Sequence, residues 1–498
     1  MKSQLDVSDR PAVNGHDKAA EFGVGATETI ACLLDQDTKV KVAGVDCDGV
    51  LRGKIMSKEK FLSSVNSGFA MSSAIFGWDM HDELYTTETN VARKEEGYSD
   101  FIAVPDLDSF RRLPFEDDLP FFLLNFVANG RPVSACGRST LKKLCQTLRD
   151  EGVEALAGVE LEFMNFQTPT EDGYGASGGS LNLAAWLSKN APEAIRPLTA
   201  GMFGYSVTRP VMNKQYFHRI YDDARKFGCG IESWHTESGP GVFEAALGVS
   251  PIEKMADKVT VFKFLAKAIG IESGVTPCFM AKPVRGLPGN SGHIHISLVD
   301  KDGHNLFARS EPDTLAMWPD IEHLSDLGRY FLAGLLEALP DLMPLFAPTI
   351  NSYKRLVENY WAPVDVTWGL EHRLSSVRLV APPICKPEAT RFEVRIPGAD
   401  MHPHYALTAI LGAGWRGVQR KADITVPPSA SRPEGVRAVL LPNTLEAAVA
   451  KFRAPQSLAR EIFSDEFVDF FAATREHEIR LWREAVTDWE FRRYIEAV

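Results

Sequence analysis

The sequence predicts an α+β protein in which a small β-rich domain precedes a large α+β domain. Three observations carry this. Short alternating stretches crowd residues 27–128. Start and stop residues mark a helix at 138–152, and helical periodicity marks one at 253–269. Beyond about residue 450 the chain reads as mostly helical to its end.

The elements follow in order. Residues 1–26 are polar and mixed in charge ("MKSQLDVSDRPAVNGHDKAAE") and read as a flexible tail, without the apolar stretch of a secretory signal. "KVKVAGVDCDGVLRGKIM" alternates as two strands, with Asp48-Gly49 as their hairpin turn. "LPFFLLNFVA" (119–128) reads as a core strand and is far too short to span a membrane. "ANGRP" (128–132) reads as a linker, which closes an N-terminal domain at 27–130 and opens a second at 131–498. "RSTLKKLCQTLRDEG" (138–152) reads as a helix, with Ser139 or Thr140 near its start and Gly152 just past its end. In 253–269, Met255, Val259, Phe262, Leu265 and Ile269 share one face, and Gly270 is expected to stop the helix.

Of the 498 residues, 45% are apolar and 24% charged, an ordinary globular balance. The net charge of −12 argues against a nucleic-acid-binding surface but leaves room for a local basic pocket. The seven cysteines form no CxxC, which fits reduced, cytoplasmic thiols rather than a disulfide frame or zinc ribbon.

Four short stretches carry polar residues where a plain strand would bury apolar ones. "GVELEF" places Glu160 and Glu162 on one strand face, because positions i and i+2 point the same way. "GHIHIS" does the same with His293, His295 and Ser297, and "RFEVRI" with Arg391, Glu393 and Arg395. "ESGPGVFE" brings Glu237 and Glu244 across a Gly-Pro-Gly turn. Each pattern alone is more often a solvated sheet face. Together they gather five glutamates and two histidines on one side of one sheet. Carboxylates that close repel one another, and divalent cations are the natural compensation. A site rich in carboxylates, with few histidines and no cysteine, suits Mg²⁺ or Mn²⁺. The interspersed arginines suit phosphates and a carboxylate. These are the parts of a phosphoryl-transfer site, yet the chain has no GxxxxGK[ST] loop and no protein-kinase motifs.

In order and spacing, "GVELEF", "ESGPGVFE", "GNSGHIHIS", "NSYKRL", "EHRLSSVR" and "RFEVRIPGAD" resemble the glutamine synthetase superfamily over roughly residues 27–498. The resemblance implies a β-grasp-like N-terminal domain and a catalytic domain on a curved antiparallel sheet flanked by helices. It also implies rings of six or twelve subunits, each active site lying between two of them. Two or more Mg²⁺ or Mn²⁺ ions would serve each site, with ATP as co-substrate. Carried over by motif, Glu162, Glu237 and Glu244 would hold one ion, and Glu160, His293 and Glu393 the other. His295, Ser297, Arg391 and Glu232 would face the nucleotide. Arg373 and Arg378 would contact the transferring phosphate. Arg355, Arg395, Asn290 and Gly292 would bind glutamate.

Two departures bear on the acceptor. Ammonia-using members carry a glutamate six residues after the position of Arg355, where this chain has Trp361. Their Asp-Gly-Ser-Ser stretch, which helps to bind ammonium, is here "IFGWDM", with Gly77 and Trp78 in its place and Asp79 displaced. An indole removes the electrostatic attraction for ammonium and offers an apolar wall and a π face. A three- or four-carbon amine could gain roughly 3–4 kcal/mol there that ammonium cannot. These features are similar to the γ-glutamylpolyamine and γ-glutamylmonoamide synthetases. The implied reaction joins glutamate and a primary amine through a γ-glutamyl phosphate, with Asp79, or else Glu358, taking the amine proton. Two readings stay open beside it: glutamine synthesis from ammonia, and a non-catalytic ring protein of the same fold.

Overall fold

The computed structural model describes residues 26–85, 87, 89–169, 183–358, 361–432 and 438–498. The expected tail lies outside them except for its last residue. Two sheets organise the chain. The first contains β1 (Lys39–Val45), β2 (Leu51–Ser57), β3 (Phe69–Ser72), β4 (Asp100–Pro105), β5 (Arg111–Leu113), β6 (Leu119–Ala128) and β7 (Arg131–Pro132). Its order is β2-β1-β6-β4-β3, with β5 and β7 also paired to β6. The β1–β2 hairpin turns at Gly49, whose φ of 80° suits glycine. β6 runs parallel to β1 and buries Phe121, Phe122, Leu123, Leu124 and Phe126. Residues 128–132 are not a linker. Asn129 and Gly130, both at positive φ, turn β6 back onto β7, so the Asn-Gly pair is a hairpin signal.

The second sheet contains β8 (Val153–Gln167), β9 (Ile231–Thr236), β10 (Val242–Pro251), β11 (Val275–Cys278), β12 (Gly292–Asp300), β13 (Trp368–Leu370), β14 (Val377–Val380) and β15 (Arg391–Val394). Its order is β13-β14-β15-β12-β8-β10-β9, with β11 on β8, and only β13–β14 is parallel. Register shifts within β10, against both β8 and β9, help the sheet to curl. Val159, Leu161, Ile294, Ile296, Phe392 and Val394 point into the core, where helices Ile252–Ser273, Asp326–Phe346 and Pro403–Arg420 are also buried. Alternation therefore leaves the charged residues of β8, β12 and β15 on the opposite face.

The helix expected at 138–152 spans Gly137–Asp150, with Gly152 just beyond it at φ 77°. Past 450 the chain continues as the helices Ala459–Ile462, Asp465–Glu484 and Asp488–Tyr494. Gly270 does not stop its helix, which runs through Ser273 and ends at Gly274 in the left-handed region. A Cβ on Gly270 would lie 2.6 Å from the Val275 carbonyl oxygen. The glycine is there so that β11 can fold back onto the helix. All seven cysteines are free. No helix among the described residues is long and apolar enough to cross a membrane.

Candidate active site

Register brings the charged residues together from six strands. Glu160 on β8 faces His293 on β12, and His295 on β12 faces Glu393 on β15. Glu393 in turn faces Arg378 on β14. On the other flank of β8, Glu162 faces Glu244 on β10, which faces His235 on β9. Segments far apart in sequence thus become neighbouring side chains on one surface.

The first group centres on Glu160 and Glu393. One Glu160 oxygen lies 3.3 Å from His293 Nδ1 and the other 3.1 Å from His295 Nε2. His293 Nδ1 is also 3.6 Å from Glu393. Arg378 donates to Glu393 at 2.7 Å, and Arg395 pairs with it directly. Burial pushes the Glu160 carboxyl up, but hydrogen bonds from both histidines outweigh it and hold the carboxyl well below its usual range. Burial likewise opposes ionisation of Glu393, and the charges of His293, Arg395 and His295 more than offset it. Burial, then Arg395, holds His293 towards its neutral form, the form that ligates metals.

The second group is His235, Glu237 and Glu244. Burial first, then the charges of Glu162, Glu160, Glu237 and Glu393, pushes the Glu244 carboxyl up to about 9. Such a carboxyl gives up its proton at neutral pH only when positive charge arrives. Donor atoms of this group lie within 4.8 Å of one another, as do those of Glu160, His295 and Glu393. Oxygen donors with one imidazole in each group fit divalent cations. Glu162, expected with Glu237 and Glu244, accepts the Ser291 amide at 2.6 Å.

This arrangement fixes the sign of a pH dependence. Native Glu244 keeps a proton that the unfolded chain releases above 4.5, so the metal-free protein should lose stability as pH rises from about 5 to about 9. The depressed Glu160 and Glu393 act oppositely, but only as pH falls below the same unfolded value. Thermal unfolding in chelator should show the decline, and added Mg²⁺ should flatten it. A midpoint that holds or rises across this range in chelator would refute the assignment.

The remaining expected residues divide into those near the cluster and those engaged elsewhere. Arg391 donates to His295 Nδ1 at 3.2 Å, which leaves Nε2 as the proton-bearing nitrogen toward Glu160. Ser297 continues the His293–His295 face opposite Leu156. Arg373 is exposed, and its charge reaches the Tyr205 phenol. Glu232 is exposed where the register of β9 against β10 shifts. Arg355 is buried and donates to the carbonyls of Ile396 and Arg395. The Asn290 side chain donates to the carbonyls of Cys278 and Met280. A Cβ on Gly292 would lie 2.7 Å from the Gly398 carbonyl oxygen. Asp79 accepts from the amides of His81 and Glu83 and lies 3.3 Å from His477 Nε2. Trp78 packs beneath Arg52. Trp361 is 65% exposed, with φ 59°.

Sequence reasoning missed His235 and Tyr205. His235 stands two residues before Glu237, the same-face spacing used elsewhere, and could have been found. Tyr205 sits in a loop without periodicity. Its backbone amide donates to the Thr236 carbonyl at 2.7 Å, and its ring stacks on His235 at 4.3 Å. Burial, then Glu244 and Glu237, pushes its phenol up.

Residues 134–494 match the family model described as glutamine synthetase, catalytic domain. Type-1 glutamine synthetase 2 of Dictyostelium discoideum is 38% identical over 92% of this chain and 84% of its own length. A glutamate–isopropylamine ligase of a Pseudomonas species is 30% identical over 92% of this chain and 95% of its own. A solved structure titled as a GmaS/ADP complex superposes with a TM-score of 0.75 at 24% identity, covering 94% of this chain and 99% of that one, and so shares the fold. The chain therefore belongs to the glutamine synthetase family, as an ATP-dependent carboxylate–amine ligase.

Proposed function

We propose that the chain joins the γ-carboxyl of glutamate to a primary amine, with release of ADP and phosphate. Trp361 carries this reading: an exposed indole stands six residues after Arg355, where ammonia-using relatives would place a carboxylate. Exposed Met202, Phe203 and Val207 flank Tyr205 beside Glu237 and Glu244, adding apolar surface for the body of an amine.

Glu160, His293 and Glu393 would hold one Mg²⁺ or Mn²⁺. Glu162, Glu237, Glu244 and His235 would hold a second. Bound there, such ions would neutralise the phosphates and polarise the transferred phosphoryl group. The chain's own groups do the rest. Arg355, Arg395, Asn290 and Gly292 orient glutamate, while His295, Ser297, Arg391 and Glu232 face the nucleotide. The γ-carboxylate oxygen attacks the γ-phosphorus and ADP departs. Arg373 and Arg378 offset the charge that develops. The amine nitrogen then attacks the γ-carbonyl carbon and phosphate departs. The amine proton passes to Asp79 of a neighbouring subunit, or to Glu358. Residues 355–358 and Trp361 keep water from the acyl phosphate. This reading places the enzyme in the cytoplasm as a ring of six or twelve subunits.

Glutamine synthesis from ammonia is the second reading, favoured by the 38% identity to type-1 glutamine synthetase 2. Phosphate release with glutamate and ATP separates the two when ammonium, putrescine, spermidine, ethanolamine, isopropylamine and ethylamine are compared. Wild type should turn over with an amine and little with ammonium. Trp361→Glu should shift the amine-to-ammonium ratio of kcat/KM toward ammonium by at least about tenfold. Wild-type turnover with ammonium alone would overturn the proposal. No release with any acceptor, despite ATP binding, would favour a structural ring.

A further inference from the structure

Glu371 has no assigned role, and three observations single it out. It follows β13 at φ 54°, a left-handed conformation unusual for a long side chain, and its amide donates to the Leu379 carbonyl at 2.9 Å. One of its carboxylate oxygens forms an ion pair with Arg378. The other is buried without a hydrogen-bond partner among the described residues. A strained backbone thus presents a half-satisfied carboxylate to Arg378, which also binds Glu393.

Glu393 is heavily engaged: Arg378, Arg395 and His293 all approach it. A divalent cation on Glu393 would have to displace part of that positive charge. With no other partner, Arg378 would either compete for Glu393 or swing away from the phosphate. We infer that Glu371 is a positioning residue that retains Arg378 when Glu393 engages a divalent cation. Glu371 thereby favours metal binding and keeps Arg378 in place for phosphoryl transfer. The catalytic half of this inference rests on the proposed function; the metal half does not.

The test is a double-mutant cycle read by Mn²⁺ titration of the nucleotide-free, full-length protein, using electron paramagnetic resonance or calorimetry. Glu371→Gln should weaken Mn²⁺ binding about tenfold, and Glu371→Asp should restore most of it. In an Arg378→Gln background, Glu371→Gln should have no further effect, because no guanidinium remains to compete. In phosphate-release assays Glu371→Gln should lower kcat while the KM for glutamate holds. Unchanged Mn²⁺ affinity, or equal losses with and without Arg378, would overturn the inference. Because the Mn²⁺ readout needs no acceptor, it stays interpretable even if every amine fails.

Discussion

Glu393→Gln is expected to reduce phosphate release by on the order of 10²–10³-fold and to destabilise the folded protein. The side chain is 1% exposed and takes Arg378 at 2.7 Å together with Arg395. Glutamine keeps the volume but removes the charge. Arg395 is then buried without its carboxylate, while Arg378 retains Glu371. Breaking a buried pair by removing one partner costs about 3–5 kcal/mol, and the tether to Glu371 should hold the loss near the lower end. The substitution also removes a donor from the Glu160–His295–Glu393 group. Steady-state kinetics and urea unfolding check the two parts separately. Activity within about threefold of wild type would exclude Glu393 from the chemistry.

Arg138→Met is expected to destabilise the protein by about 3–5 kcal/mol without touching the active site. Arg138 has a buried side chain that donates to both Asp257 oxygens, at 2.8 and 2.7 Å, to Asp106 at 2.7 Å and to Asn125 at 2.9 Å. Asp106 and Asn125 belong to the first sheet and its turns. Asp257 lies on the helix behind the second sheet and also contacts His404 at 2.9 Å. One guanidinium therefore ties the first sheet to two helices behind the second. Methionine fills the space but leaves the buried Asp257 carboxylate without its guanidinium, while Asp106 keeps Lys142. Arg138→Met combined with Asp257→Leu should recover part of the loss, since an apolar pair avoids the unpaired charge. Chemical denaturation measures both. A loss below about 1 kcal/mol for the single variant would show that Asp257 and Asp106 are compensated by other groups.

Much of this was legible in the sequence, and the reason is periodicity. Glu160, Glu162, His293, His295 and Glu393 lie on regular strands, so alternation alone puts them on one face. His235 obeys the same rule two residues before Glu237, although Trp234 and Thr236 beside it blur the alternation. Tyr205 had no such signal, because a loop anchored by hydrogen bonds to Thr236 leaves no pattern in its own residues. Gly270 shows another limit. A glycine at a helix end and a glycine under a returning strand look alike until the strand is placed. Asn129-Gly130 has the composition of a hairpin turn and of a linker alike, and the pairing of β7 on β6 separates the two. Glu371 depends on an ion pair with Arg378, seven residues away across a turn, and nothing in its spacing announces it.

The cluster draws on positions from 160 to 393, with β8 central and β15 joining through β12. These are contacts of long sequence separation, which form late because each must close a long loop. Glu160 can meet His293 once β12 docks, yet Glu393 and its arginines arrive only with β14 and β15. A nascent chain would thus pass through a stage with part of the donor set and none of the balancing guanidinium charge. Because the complete donor set exists only in the native state, a divalent cation would stabilise finished molecules over stalled ones. High-affinity metal uptake during refolding would then serve as a clock for the docking of the last strand.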